Sequence, residues 1–165
     1  MPKPVFKKNN LVSIIDENIK LLNEIDNSIE IDFLNGKKDI YFDCDKEQIS
    51  RSFFNLIKNS IESIEQKTQK IGKFHKKISI EIIPNNHHIK IILVDNGIGF
   101  GEIKNEIKDI LNPYYTTKKN GTGLGLSIVN KIINEHNGTL KFFSIPNGAK
   151  IEIDFILDGK RNFNS

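Results

Sequence analysis

Cysteine is nearly absent from this chain: Cys44 is the single one among 165 residues. One thiol cannot form an intramolecular disulfide, so the fold must be held by its core, which suits a reducing compartment. No apolar run approaches the roughly 18 residues that a membrane-crossing helix needs. The first residues, with Lys3, Lys7 and Lys8, lack the apolar centre of a secretory signal. A charge excess is missing too. The formal net charge is +3, whereas a dedicated nucleic-acid binder would concentrate basic residues on one face. The one basic cluster, Lys67 to Lys77, reads as a solvated loop. There is no internal repeat, low-complexity tract or second domain. What these absences leave is a soluble, cytoplasmic protein of one domain. Its hydrophobic fraction of 38% against a charged fraction of 27% is enough to build a core at this length.

Residues 1–10 contain two prolines and no periodicity, and are expected to be an entering arm or linker. Apolar residues then recur at Leu11, Ile15, Ile19, Leu22 and Ile25, which predicts a helix with Asn10 as its N-cap. Ile29 to Phe33 alternates, Asn35-Gly36 offers a turn and Ile40 to Cys44 follows, predicting two strands. Asp45 is placed to cap a helix running to about Ile64, with Gln48 in position for a variant of the capping box. Ile78 to Ile83 and Ile89 to Val94 predict a hairpin through Pro84-Asn-Asn. Between Phe100 and Asn120 the pattern decays to a short helix near Ile103 to Leu111, Pro113 and a polar run. A further helix is expected from about Leu124, ended by Asn137-Gly138. A last hairpin joins Thr139–Ser144 to Ala149–Ile156 through Pro146-Asn-Gly148. The blocks predict an α+β fold, a two-layer α/β sandwich whose mixed five-stranded sheet is covered on one face by three helices. The domain is expected over residues 11–158, with a polar tail at 159–165.

Three segments carry chemistry. Asp95-Asn-Gly-Ile-Gly99 closes an apolar strand, where Gly97 and Gly99 permit positive φ and close approach of a flat ligand. A carboxylate there can accept a hydrogen bond from an exocyclic amine, as an adenine site requires; an ordinary Asp-Asn-Gly turn has the same sequence. Gly121-Thr-Gly-Leu-Gly-Leu126 opens a helix, whose free N–H groups and dipole attract phosphate oxygens. No Gly-Lys-Ser/Thr follows, so it is not a P-loop, and a polar segment rather than a strand precedes it, unlike a dinucleotide fingerprint. A flexible hinge is the other reading. Asn55 and Asn59 lie four apart on one helix face, with Lys58 beside them. A side-chain carbonyl suits Mg²⁺, which takes few protein ligands beside phosphate oxygens. A solvated face would look similar, although asparagine is a poor choice for a helix interior.

In this order the three segments resemble the catalytic ATP-binding domain of bacterial histidine kinases, a branch of the Bergerat-fold ATPases (HATPase_c). Asp45 to Glu62 resembles the family's N box, Asp95–Gly99 its first glycine box and Gly121–Leu126 its second. Asn112-Pro-Tyr-Tyr-Thr-Thr-Lys118 resembles the F box of nitrogen-regulation-type sensor kinases. The likeness spans nearly the whole chain. It implies ATP and Mg²⁺ as cofactors, with Asn59 holding the metal, Asn55 and Lys58 near the phosphates and Asp95 on the adenine amine beside Gly97 and Gly99. It also implies a phosphate cradle at Gly121, Thr122, Gly123, Leu124 and Gly125. Thr116, Thr117 and Lys118 would belong to a lid at about residues 100–121. Many relatives have a lysine and an aromatic residue three and four positions after the magnesium asparagine; here Glu62 and Ser63 stand there.

Relatives that hydrolyse ATP place a glutamate four residues before the magnesium asparagine, where this chain has Asn55. An amide cannot act as a general base. Phosphoryl transfer needs mainly positioning and charge neutralisation, so such a domain suffices if a nucleophile is brought to it. His75, His87, His88 and His136 do not stand in the setting of the family's phosphoacceptor. The expectation is therefore a catalytic half, monomeric alone. It would donate the γ-phosphate of Mg-ATP to a histidine on a separate helical dimerisation domain, and a response regulator would receive it. The parent protein could be membrane-anchored. The alternatives are a nucleotide-binding regulatory module without kinase activity, or an ATP hydrolase, which Asn55 disfavours.

Overall fold

The structure is a computed structural model and describes residues 2–34, 38–99 and 125–157. Along the chain run β1 (Lys7–Asn10), α1 (Leu11–Ile25), β2 (Glu30–Leu34), β3 (Tyr41–Cys44), α2 (Lys46–Ile71), β4 (Lys77–Pro84), β5 (His88–Asp95), α3 (Gly125–Glu135), β6 (Gly138–Ile145) and β7 (Gly148–Ile156). Alternation dictates the sheet. Every second residue of the central strands (Ile78, Ile80 and Ile82, then Ile89, Ile91 and Leu93, then Ile151, Ile153 and Phe155) is buried on one face. The sheet order is β2-β4-β5-β7-β6, with β2 parallel to β4 and the other neighbours antiparallel. The three helices cover the apolar face through Ile14, Ile15 and Leu22 of α1, Ile49, Phe53 and Leu56 of α2, and Val129, Ile132 and Ile133 of α3. The opposite face carries solvated ion pairs such as Lys77–Asp32 at 3.1 Å and Lys150–Glu152 at 3.2 Å, which add little stability.

The expected α+β two-layer architecture and both expected hairpins, β4–β5 and β6–β7, are present. Five local expectations change. First, β2 and β3 do not pair with each other. β2 lies parallel to β4, while β3 pairs with β1 in a separate two-stranded sheet, so Lys7–Asn10 of the expected arm forms a strand. A turn dipeptide permits a hairpin without requiring one. Here Leu11 N–H donates to Ile40 O at 2.7 Å and Asn9 Nδ2 to Cys44 O at 3.1 Å, tying β3 to the chain start.

Second, α2 continues past Ile64 to Ile71 and ends at Gly72, φ +81°. Residues 65–70 are mostly good helix formers, and Thr68 Oγ1 bonds back to Ile64 O at 3.0 Å. Lys67 and Lys70 are therefore helical, and Lys77 starts β4. Third, the left-handed residue after α3 is Asn137, φ +60°, not Gly138. Gly138 is required for packing, since a Cβ there would lie 2.8 Å from Ile133 Cγ2 and 2.9 Å from Phe155 Cδ1.

Fourth, Asp45 caps α2, its Oδ1 accepting from Gln48 N–H at 3.1 Å, but Gln48 does not reciprocate. The Gln48 amide donates to Pro2 O at 3.0 Å, and Asp45 N–H donates instead to His136 Nε2 at 3.0 Å. Fifth, of the two glycines after Asp95 only Gly99 adopts positive φ, +75°. The lid, the short helix near Ile103 to Leu111, the Asn35-Gly36 turn and the 159–165 tail lie outside the described residues.

Candidate functional site

Strand β5 ends by delivering Asp95 under the middle of α2, where its side chain is only 4% exposed. Gly97 N–H donates to Asp95 Oδ1 at 2.9 Å. The chain then turns against the helix: Ile98 N–H points at both Ser63 Oγ, 3.0 Å, and Ser63 O, 3.2 Å. A Cβ on Gly97 would sit 2.7 Å from Ser63 C and 2.8 Å from Ile64 N. Gly97 is thus demanded by backbone approach to α2. Gly99 combines its positive φ with a Cβ position only 2.7 Å from Gly148 O. The turn is wedged between α2 and the β6–β7 turn, so neither glycine is present for flexibility alone.

Burial pushes the Asp95 carboxyl above its ordinary range, against the opposing pull of the Gly97 N–H, the Ser60 hydroxyl and the Lys67 ammonium. Ser60 Oγ is buried and, among the described residues, has no partner of hydrogen-bond geometry, although it lies near enough to favour the ionised carboxylate. A buried carboxylate with few donors around it is an arrangement that a base with an exocyclic amine fits. The amine adds a donor to the acceptor capacity that the Gly97 N–H and the Ser60 hydroxyl leave open.

Asn55 and Asn59 are half-buried on α2, and Lys58 is exposed. Asn55, Asn59 and Ser63 stand four apart, forming one stripe that reaches the turn after Asp95. Four residues rise about 6 Å along a helix, so the asparagines lie one and two turns from the end that Asp95 occupies. Among the described residues no three His, Cys, Asp or Glu side chains gather as metal ligands. A cation at this face would depend on amide oxygen, which suits Mg²⁺ shared with phosphate oxygens. Gly125 begins α3, and a Cβ there would meet nothing within 4 Å. Thr116, Thr117, Lys118, Gly121, Thr122, Gly123 and Leu124 fall outside the described residues.

Sequence reasoning misses Ser60, Ser63 and Lys67. Ser63 stands out there only as a departure from a common pattern, whereas it anchors the glycine turn. Lys67 Nζ donates to Asn96 O at 2.9 Å and lies 4.7 Å from the Phe74 ring centroid. Helical spacing alone could have found both, since Asn59, Ser63 and Lys67 are consecutive members of one i, i+4 series. The side chains of three of the four histidines have structural partners: His75 with Glu30 and His88 with Asp154, each at 2.9 Å, and His136 with Asp45 N–H.

A helix carrying two asparagines, packed over a strand that ends in a buried aspartate and a glycine turn, defines a nucleotide-binding sandwich. The chain belongs to the histidine kinase-, DNA gyrase B- and HSP90-like ATPase family, whose model matches residues 44–159. Its relatives are sensor kinases. It is 34% identical over 158 residues to a putative NtrY-like sensor histidine kinase of Rickettsia conorii, covering 95% of this chain and 25% of that protein. It is 30% identical over 160 residues to nitrogen regulation protein NtrY of Azorhizobium caulinodans, covering 90% and 19%. The chain thus spans about a quarter or less of these relatives. Among solved structures, the nucleotide-free catalytic domain of histidine kinase ThkA superposes with a TM-score of 0.78 at 28% identity, covering 92% of this chain and 95% of that one. ThkA has also been solved in complex with the response regulator TrrA, matched here at a TM-score of 0.76 and 25% identity, over 95% of this chain and 43% of that one. This is the histidine-kinase type of ATPase domain, found in sensor kinases of two-component signalling. No helix among the described residues is long and apolar enough to cross a membrane.

Proposed function

We propose that this domain binds Mg-ATP and presents its γ-phosphate to a histidine on a separate helical dimerisation domain, from which a response regulator takes it. The observation that carries the reading is Asp95: a carboxylate buried at the end of β5, beside an unsatisfied Ser60 hydroxyl, in a family of ATPase domains. Asp95 accepts from the adenine amine, with the Gly97 N–H fixing its other contact. Asn59 offers an amide oxygen to Mg²⁺ and Asn55 faces the phosphates from the same helix stripe, with Lys58 adding charge. The Gly121–Gly125 loop, with Thr122 and Leu124, cradles the phosphates at the start of α3. Thr116, Thr117 and Lys118 close over them as part of a lid. When bound, Mg-ATP supplies the transferable phosphoryl group, and the protein's part is orientation and charge neutralisation.

Asn55 stands where a hydrolase needs a base, so water is not activated and the phosphoryl group waits for a protein nucleophile. The ThkA–TrrA complex supports a response regulator as the final acceptor, and the sensor-kinase relatives, of which this chain matches only a fraction, support a dimerisation domain elsewhere in the parent protein. Calorimetric titration with a non-hydrolysable ATP analogue, with and without Mg²⁺, tests the pocket. Saturable binding strengthened by Mg²⁺ is expected, and no binding at millimolar ligand overturns it. Adding a helical phosphoacceptor domain of an NtrY-type kinase in trans should then yield acid-labile, base-stable phosphate on its histidine. Tight nucleotide binding without that product would instead indicate a regulatory module.

A further inference from the structure

The two helical turns that extend α2 beyond its expected end bring Lys67 to the far side of the Asp95 turn. Its Nζ donates to Asn96 O at 2.9 Å. The same peptide group carries, at its other end, the Gly97 N–H that donates to Asp95 Oδ1 at 2.9 Å. An ammonium on the carbonyl and a carboxylate on the N–H polarise one peptide in the same sense, and hydrogen bonds in such a chain strengthen one another.

The peptide cannot swing away. Asn96 N–H donates to Lys77 O at 3.2 Å, its Oδ1 accepts from Lys77 N–H at 2.9 Å and its Nδ2 donates to His75 O at 2.6 Å. Lys67 is itself steadied over the Phe74 ring. One side of it lines a cleft of about 360 Å³ shared with Lys70 and Gly97–Gly99.

We propose that Lys67 is a positioning residue for nucleotide recognition, acting through the Asn96–Gly97 peptide to hold Asp95 as the carboxylate acceptor of the pocket. The inference rests on the assignment of Asp95 to the adenine amine. Among the described residues, the other groups around Asp95 supply no positive charge beside it. α2 offers Ser60, a neutral hydroxyl. The residues opposite Asp95 on β4 and β7 are Ile78 and Ala149. Lys77 Nζ pairs with Asp32 and Glu30, and His75 with Glu30, on the solvated face of the sheet. Among the described residues, Lys67 is therefore the cation that adds to the Gly97 N–H and the Ser60 hydroxyl in favouring the ionised carboxylate. It touches the glycine turn in space, though twenty-eight positions away from Asp95 in sequence. Once protonated, Asp95 loses an acceptor site and gains a donor that opposes the amine.

Lys67→Gln keeps an N–H donor, one bond shorter, and removes the charge. Affinity for a non-hydrolysable ATP analogue is measured by calorimetry from pH 5 to pH 9 for wild type, Lys67→Gln and Lys67→Arg, and each variant is compared with wild type at the same pH so that ionisation of the ligand cancels. The expected result is an acid limb displaced to higher pH in Lys67→Gln. Below both midpoints that is a loss of up to about tenfold for each unit of displacement, shrinking toward wild type at alkaline pH, while Lys67→Arg follows wild type. A Lys67→Gln profile superimposable on wild type overturns the proposal, and so does an equal loss at every pH, which marks a merely structural role. ¹³C titration of the Asp95 carboxyl in the nucleotide-free protein reads the same coupling without ligand: a midpoint raised by Lys67→Gln supports the inference, and an unmoved midpoint overturns it. Absence of binding by wild type is a separate result that overturns the nucleotide reading itself.

Discussion

Two aspartates terminate strands against the same helix and end in opposite states. Asp45 follows β3 at the N-terminus of α2; Asp95 closes β5 under its middle. Burial acts to raise the Asp45 carboxyl, but N–H donors from Val5, Gln48 and Glu47, with His136 nearby, outweigh it and hold it below the usual range. Asp95 has one backbone donor against much deeper burial, and its carboxyl is held above that range. A carboxylate surrounded by N–H groups has its acceptor capacity consumed by the fold. One left short of donors in a dry site has capacity reserved for a ligand. The difference separates a structural cap from the aspartate proposed for recognition without reference to any motif.

Gly97→Ala should break the comparison most severely, because the new methyl meets the backbone of Ser63 and Ile64, which cannot turn aside, as well as the Ser63 Oγ. A stability loss of roughly 1–3 kcal/mol is expected, together with loss of nucleotide binding, read by thermal melts with and without ATP analogue. Asp95→Asn should separate the two properties. It replaces a charge-assisted acceptor and should cost about 1.5–3 kcal/mol of binding, roughly ten- to a hundredfold. The same change should raise Tm of the nucleotide-free protein at pH 7. With a raised folded pKa, the folded state retains a proton that the unfolded chain releases, so stability falls as pH rises from ~4 through the folded value; the amide removes that loss. Unchanged affinity would displace the adenine site.

Asn59→Ala should abolish most of the Mg²⁺-dependent gain in affinity while leaving Mg²⁺-free binding within about threefold, since it removes one amide ligand and no base contact. Asp45→Ala should do the converse, costing about 1 kcal/mol of stability and little affinity. Its folded pKa is depressed, so the lost stabilisation is present above the unfolded value near ~4 and vanishes as pH falls through the folded value. Chemical denaturation at pH 7 and at pH 2 should show the gap between variant and wild type closing in acid. The smallest effect concerns Cys44, next to the cap. Burial pushes its thiol up to about 12, so a thiol reagent at pH 8 should label it only as fast as the protein unfolds.

Much of this is readable in the chain because the signals are local. Alternation of isoleucines marks the β4–β5 hairpin, spacing marks α1 and α3, and Asn10 and Asp45 announce their helices as N-caps, Asn10 Oδ1 accepting from Val12 N–H at 3.2 Å. The three motifs mark Asp95, Gly97 and the asparagine pair. Several of the features that escape sequence reasoning share one cause, partners distant in sequence. The Asn35-Gly36 turn suggests a hairpin, but β3 finds β1 and β2 finds β4. Gln48 matches a capping box in spacing, yet His136, ninety-one residues away, takes the Asp45 N–H. A run of lysines reads as solvated because composition cannot show that Lys67 reaches Asn96.

Hydrophobic period, caps and glycine motifs are each written within a few neighbouring residues. The chain alone therefore dictates the class of fold, the order of the elements and the residue types of the pocket. Packing in three dimensions settles the rest: which backbone Gly97 must touch, which strand is parallel, and which of two similar aspartates is saturated and which is not. Those outcomes depend on burial and on donors supplied from other elements, and an aspartate's chemistry is set by the count of N–H groups around it in space.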